Sequence, residues 1–160
     1  MQNYHNLLYR EEEREMHPYC AHAGIGLIPW SPLAQGMPPS PLLRLHYDYK
    51  PIPTQHTGVL ARPHGTSTTR SSGDPFAGLL NTPSDKVIID RVQQIAEKTG
   101  HTMAQVATAW SLSRGVNPIL GLQTQSRIDE AVASLGVVLE EEDLKALEKD
   151  YSPKAKPPAW

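Results

Sequence analysis

The sequence predicts an α/β fold built on a small parallel sheet. Two observations carry it. Three short strand candidates, at residues 2–9, 25–28 and 117–122, the second a continuous apolar run, alternate with segments of helical period. That alternation is the mark of βαβ units, in which a strand needs a helical crossover to reach a parallel neighbour.

Residues 2–9, "QNYHNLLY", read as a short strand and its exit. Residues 11–23 are helical in composition. Glu11, Glu12 and Glu13 sit at the positive end of the helix dipole, and Pro18 must lie in the first turn or kink the helix. Gly24 ends it. "IGLI", 25–28, reads as a buried strand. Residues 37–83 have no sustained period and are rich in Pro, Thr, Ser, Gly and His, so they read as a long loop.

Order returns at Ser84, an N-cap with Asp85 behind it. Ile88, Val92, Ile95 and Ala96 form one apolar face, and Gly100 supplies the stop. Thr102 and Gln105 make a capping box for a helix carrying Val106, Ala109 and Trp110 towards Gly115. "NPILGL", 117–122, is the third strand. Ser126 with Asp129 caps the next helix, which runs to Gly136. A last helix, Glu141 to Asp150, turns Leu144 and Leu147 inward, and the tail "SPKAKPPAW" is expected to be loose.

The totals exclude several functions. With 160 residues and a net charge of −2, the chain suits one domain and offers no electrostatic attraction for nucleic acid or an anionic membrane. No apolar run approaches a membrane span, and no secretory signal is visible. A single cysteine, Cys20, excludes an internal disulfide and points to the reducing cytoplasm. His17, Cys20 and His22 point three ways from a helix, so no metal site is expected.

Two stretches carry chemistry. In "IPWSPLAQG", 28–36, Trp30 follows the second strand at its carboxyl end, where parallel α/β folds bind ligands. Its ring suits stacking on a flat heteroaromatic group. Ser31 to Gly36 offer hydroxyl and backbone N–H donors to a diphosphate. A core tryptophan followed by a Pro-rich turn fits the same spacing. In "GLQTQSRIDEA", 121–131, a helix opens just after the third strand, with Arg127 placed to grip a phosphate and Glu130 to bond a ribose or an adenine amine. A plain capped helix with solvated Arg and Glu fits equally.

Four blocks in order, "QNYHNLLYREEEREMHPYC", "GIGLIPWSPLAQG", "TMAQVATAWSLSRGVNPILGLQTQSRIDEAVASL" and "LEEEDLKALEKDYSP", resemble the C-terminal part of an aldo-keto reductase. The branch is that of the fungal aryl-alcohol-dehydrogenase-like enzymes. The resemblance implies a partial (β/α)8 TIM barrel, strands six to eight with their helices, over residues 1–153, with 154–160 a loose tail. It also implies reduction of aldehydes or ketones by hydride transfer from NADPH, the partners being small carbonyl or alcohol substrates. Gln2 would hold the nicotinamide carboxamide and Trp30 stack on its ring. Ser31, Pro32, Leu33, Gln35 and Gly36 would wrap the diphosphate. Gly121, Leu122, Gln123 and Arg127 would meet the 2′-phosphate, and Glu130 the adenine. Gly121 stands where many relatives have Lys, which leaves the preference for NADP mainly on Arg127.

The family's catalytic tyrosine, lysine, aspartate and histidine have no matching position here. "YDYK", 47–50, has no strand to hold it and is not the catalytic pair. The expectation is therefore a truncated reductase without its catalytic half, or a non-catalytic pseudoenzyme or interaction module derived from one. Three strands cannot close a barrel, so self-association through open sheet edges is expected. Residues 37–57 interrupt the family pattern. Gly36-Met37 and Thr57-Gly58 are codable as intron borders, GGT-ATG and ACA-GGN, so the segment reads as a retained intron or a lineage-specific insertion.

Overall fold

The computed structural model describes residues 1–34, 58–66, 81–122 and 124–155. Among them, three segments run side by side in parallel, Tyr4 bridging Trp30 and Trp30 bridging Ile119. The Ile28 and Trp30 N–H groups donate to the Met1 and Asn3 carbonyls (both 2.9 Å), and those of Asn117 and Ile119 to the Leu27 and Pro29 carbonyls (2.9 and 2.8 Å). The three stretches expected to be strands lie side by side and parallel, but among the described residues none forms an extended strand, each pairing being one isolated bridge. The first segment is cut short after His5. Asn6 and Tyr9 close a tight turn through paired backbone bonds (3.1 and 3.0 Å), and the Asn6 Oδ1 accepts from the Leu8 N–H (3.0 Å).

The "IGLI" run is not buried as expected. Leu27 and Pro29 face inward and Ile28 between them is exposed, the alternation of a segment covered on one face only, while Ile25, directly after the Gly24 helix stop, is exposed as well.

Helix α1 spans Met16–Ala23, preceded by a 3₁₀ turn at Glu11–Arg14, so the expected 11–23 helix is two pieces. Pro18 lies in its first turn, where its missing N–H is harmless. Gly24 adopts φ 67°, and the Ile25 N–H reaches back to the Cys20 carbonyl (2.8 Å) to close the end. Helices α2 (Pro83–Thr99), α3 (Met103–Ser113), α4 (Gln125–Ala133) and α5 (Glu141–Glu148) follow. The long loop is interrupted: Val59–Ala61 form a 3₁₀ turn whose Leu60 is fully buried. The expected insertion at 37–57 lies outside the described residues.

One core joins these pieces. Leu7, Leu8 and Leu60 meet Ile88, Val92 and Ile95 of α2, Val106 and Trp110 of α3, and Leu147 of α5. Trp110 is fully buried and still satisfies its indole, the Nε1–H donating to Glu148 (2.8 Å). The chain after α5 is held down. The Tyr151 hydroxyl accepts from the Arg10 N–H (2.9 Å) and donates to Glu11, and the Lys154 N–H also donates to Glu11 (2.8 Å). The Lys154 ammonium lies 2.7 Å from the buried Asp85 carboxylate. The tail expected to be loose is thus anchored as far as Lys154, and residues 156–160 lie outside the described residues.

Candidate functional site

The loop leaving the second segment is tightly constrained. Ser31 (φ 55°) and Ala34 (φ 53°) are left-handed, a conformation that costs a non-glycine residue about 1–2 kcal/mol and persists only when its surroundings enforce it. The enforcement is visible. The buried Asn6 amide donates to the Ser31 carbonyl (3.1 Å), as does the Ala34 N–H (3.0 Å), and the Leu60 N–H donates to the Leu33 carbonyl (3.2 Å). Gly58 lies so close that a Cβ there would meet the Leu33 carbonyl oxygen at 2.1 Å. A distant piece of chain therefore clamps Leu33.

Leu33 forms one wall of an open groove of ≈ 440 Å³, part of it solvent. Leu120, Gly121 and Leu122 form a second wall, α3 supplies Ala104 and Thr108, α4 supplies Arg127, Glu130 and Ala131, and Ser134 follows directly after α4. The start of α4 is capped by Thr124, whose side chain accepts from the Arg127 N–H (3.4 Å), not by Ser126 as expected. Of the twelve residues proposed from sequence, the groove brings together Leu33, Gly121, Leu122, Arg127 and Glu130. Gln35, Gly36 and Gln123 lie outside the described residues.

Trp30 does not line the groove. It sits on the central parallel segment, bridged to Ile119 one residue before the groove wall begins, with its ring 4.7 Å from that of Tyr4 and tilted by 40°. Gln2 is exposed on the neighbouring segment, and Ser31 and Pro32 lead from Trp30 to Leu33, Pro32 buried and Ser31 half-buried. The sequence reading missed Ala61, Ala104, Thr108, Ala131 and Ser134 as groove residues. Three of the five are alanines with no chemical signature, found only once the elements are placed. It also read Thr102 purely as a cap, whereas the Thr102 hydroxyl donates to Glu130 (2.6 Å).

A second polar cluster lies beneath the first segment. His5 is fully buried, stacks on Trp110 (centroids 5.2 Å, 26°) and donates through Nε2 to Glu13 (2.7 Å). Arg10 binds the same carboxylate (2.7 Å). Burial raises the Glu13 pKa, but the hydrogen bonds from His5 and Arg10 outweigh it and bring it down to about 2. His17 accepts from the Asn3 amide (3.0 Å), and burial together with the neighbouring His5 lowers its pKa to about 4. No group of ligands able to hold a metal exists among the described residues, and no described helix is long and apolar enough to cross a membrane.

Comparison with known proteins gives a consistent result. The sequence profile of the Aldo/keto reductase family matches residues 1–151. The chain is 48% identical to the versiconal hemiacetal acetate reductase of Aspergillus parasiticus, over 97% of this chain and 40% of that protein. It is 45% identical to a Schizosaccharomyces pombe protein named after the aryl-alcohol dehydrogenases, over 96% of this chain and 41% of that protein. It thus spans about 40% of the length of these relatives. Among solved structures, the glycerol dehydrogenase of Gluconobacter oxydans superposes with a TM-score of 0.65 over 99% of this chain and 45% of that one, at 19% identity. That likeness shows the fold, the chain matching part of a TIM-barrel reductase. The parallel segments, the helices between them and the matched sequence agree: the chain belongs to the aldo/keto reductase family, among relatives of the fungal aryl-alcohol-dehydrogenase type.

Proposed function

We propose that this chain is the cofactor-binding portion of an NADP-dependent aldo-keto reductase, corresponding to barrel strands six to eight. The groove carries the reading. Arg127 and Glu130, one turn apart on α4, line a single cleft with Leu33, Gly121 and Leu122. Its polar groups suit a phosphorylated adenine nucleotide: a guanidinium and the N–H groups opening α4 to donate to phosphate, and a carboxylate to accept from an amino group. The bound cofactor would supply the hydride for reduction of an aldehyde or ketone, aromatic or aliphatic. Trp30, at the tip of the central segment, would meet the nicotinamide ring and Gln2 its carboxamide. Ser31, Pro32 and Leu33 would line the path of the diphosphate between the two ends, continued by Gln35 and Gly36. Gly121, Leu122 and Gln123 would complete the adenosine end. The compartment consistent with the lone buried Cys20 is the cytoplasm.

A second reading is a non-catalytic derivative that keeps some nucleotide affinity. NADPH fluorescence titration and an aldehyde-dependent NADPH oxidation assay separate the two. Weak NADPH binding is expected, reduced about tenfold by Arg127→Ala with NADH little affected, since a charge-assisted bond to phosphate is lost. Undetectable turnover by the chain alone is expected, and robust turnover would place a catalytic set within these residues.

A further inference from the structure

We propose that Thr102 is a positioning residue for Glu130, fixing that carboxylate so that the groove selects a ligand bearing an exocyclic amino group; the inference rests on the nucleotide reading above and names the edge of the base it recognises. The Thr102 hydroxyl has its geometry fixed twice. Its oxygen accepts from the Gln105 N–H (3.1 Å) as the N-cap of α3, and the Gln105 side chain returns the bond to the Thr102 N–H (2.9 Å). With the oxygen held, the hydroxyl proton points to Glu130 Oε1 at 2.6 Å, 28 residues along the chain. A capping box thereby aims a side chain on a different helix.

The second carboxylate oxygen of Glu130 has no hydrogen bond among the described residues, and Glu130 lines the groove. A carboxylate only accepts, so its complement is a donor. Leu33, Ala61 and Leu122 supply apolar wall to the same groove, alongside the polar Thr108, Arg127 and Ser134. That combination, apolar wall beside a fixed carboxylate acceptor, suits the flat face of a purine whose rim carries an amine. A ribose hydroxyl would not need the apolar walls. Locking Oε1 to Thr102 removes the rotamer freedom that Glu130 would otherwise lose on binding, which sharpens discrimination rather than adding a contact.

The test uses NADPH and its deamino analogue, in which hypoxanthine replaces adenine and a ring oxygen substituent replaces the amine. Affinities of the whole chain for both are measured by fluorescence titration, alongside the variants Thr102→Val, Thr102→Ser and Thr102→Asp. The unsubstituted chain and Thr102→Ser, which keeps the hydroxyl, are expected to prefer NADPH by about tenfold, the scale of one hydrogen bond to a charged acceptor. Thr102→Val removes the hydroxyl and is expected to bring the ratio close to one. Thr102→Asp preserves the helix cap while repelling Glu130, so it folds and is expected to lose the same discrimination. A merely structural Thr102 would change both affinities together and leave the ratio intact. Discrimination unmoved in Val and Asp variants, or an unsubstituted chain that binds both nucleotides equally, overturns the role of Thr102 and leaves the nucleotide reading standing. Failure of the unsubstituted chain to bind either nucleotide overturns both.

Discussion

Single residues set the site's local geometry, and Gly58 is the sharpest case. Its backbone lies against Leu33, and an added Cβ would fall 2.1 Å from the Leu33 carbonyl oxygen, a backbone atom that cannot swing away. Gly58→Ala should therefore cost about 1–3 kcal/mol of stability, the range of an overpacked core, measured by urea denaturation. Because the displaced residue is a groove wall, NADPH affinity should fall with it. His17 and Glu13 make a different prediction. His17 is held neutral in the folded state with a pKa near 4 against its ordinary value of 6.5. The unfolded chain therefore binds the extra proton first, and the stability due to its burial is lost as pH falls from 6.5 towards 4. Glu13, lowered from 4.5 to about 2, favours the fold above pH 4.5 and loses that contribution as pH falls further. The two windows join, so thermal melts should show midpoints falling steadily below pH 6.5. His17→Gln should flatten the upper part of that slope and leave the lower part.

Helix ends show what could and could not be read from the sequence. The Thr102/Gln105 box and the Gly24 and Gly100 stops lie where the spacing puts them, because each depends on residues within four positions. Two caps were displaced by two residues. Ser84 reads as a cap, yet Thr82 holds that place, its hydroxyl accepting from the Asp85 N–H (3.3 Å) and the Asp85 carboxylate returning to the Thr82 N–H (2.9 Å). Pro83 explains the choice: it fits the first helical position, where its fixed φ helps and its absent N–H is not missed. Thr82→Ala should cost about 1 kcal/mol in thermal or chemical unfolding, and Ser84→Ala measurably less. Asp85 also meets Lys154, and this pairing could not be read at all, since 69 residues separate them and only the fold brings them together. The groove was half legible for the same reason. Its charged residues announce themselves by type, while its alanines and the Leu33 clamp depend on packing between elements.

On the scale of the whole molecule, the folded surface leaves apolar work undone. Helix α4 buries none of its residues fully. Ile128, Val132 and Leu135 follow one another at four- and three-residue spacing and share a face, with Leu135 72% exposed and Val138 beyond it 79% exposed. Ile28 (44%) and Ile119 (43%) are exposed on the parallel segments, whose outer two each carry one neighbour only among the described residues. A monomer seldom leaves such a stripe beside unpaired strand edges in water. The purified chain should therefore associate as concentration rises, with an increasing scattering mass in size-exclusion light scattering. Replacing Val132 and Leu135 by Glu removes the stripe at positions that contribute little to the core, so stability should change by only about 0.5 kcal/mol per site while association weakens. Backbone edges would still be open, and the double variant should keep a residual, weaker association. A sharp, concentration-independent melt of a monomer, alike in the parent and the double variant, would mean that neither the stripe nor the edges draw copies together.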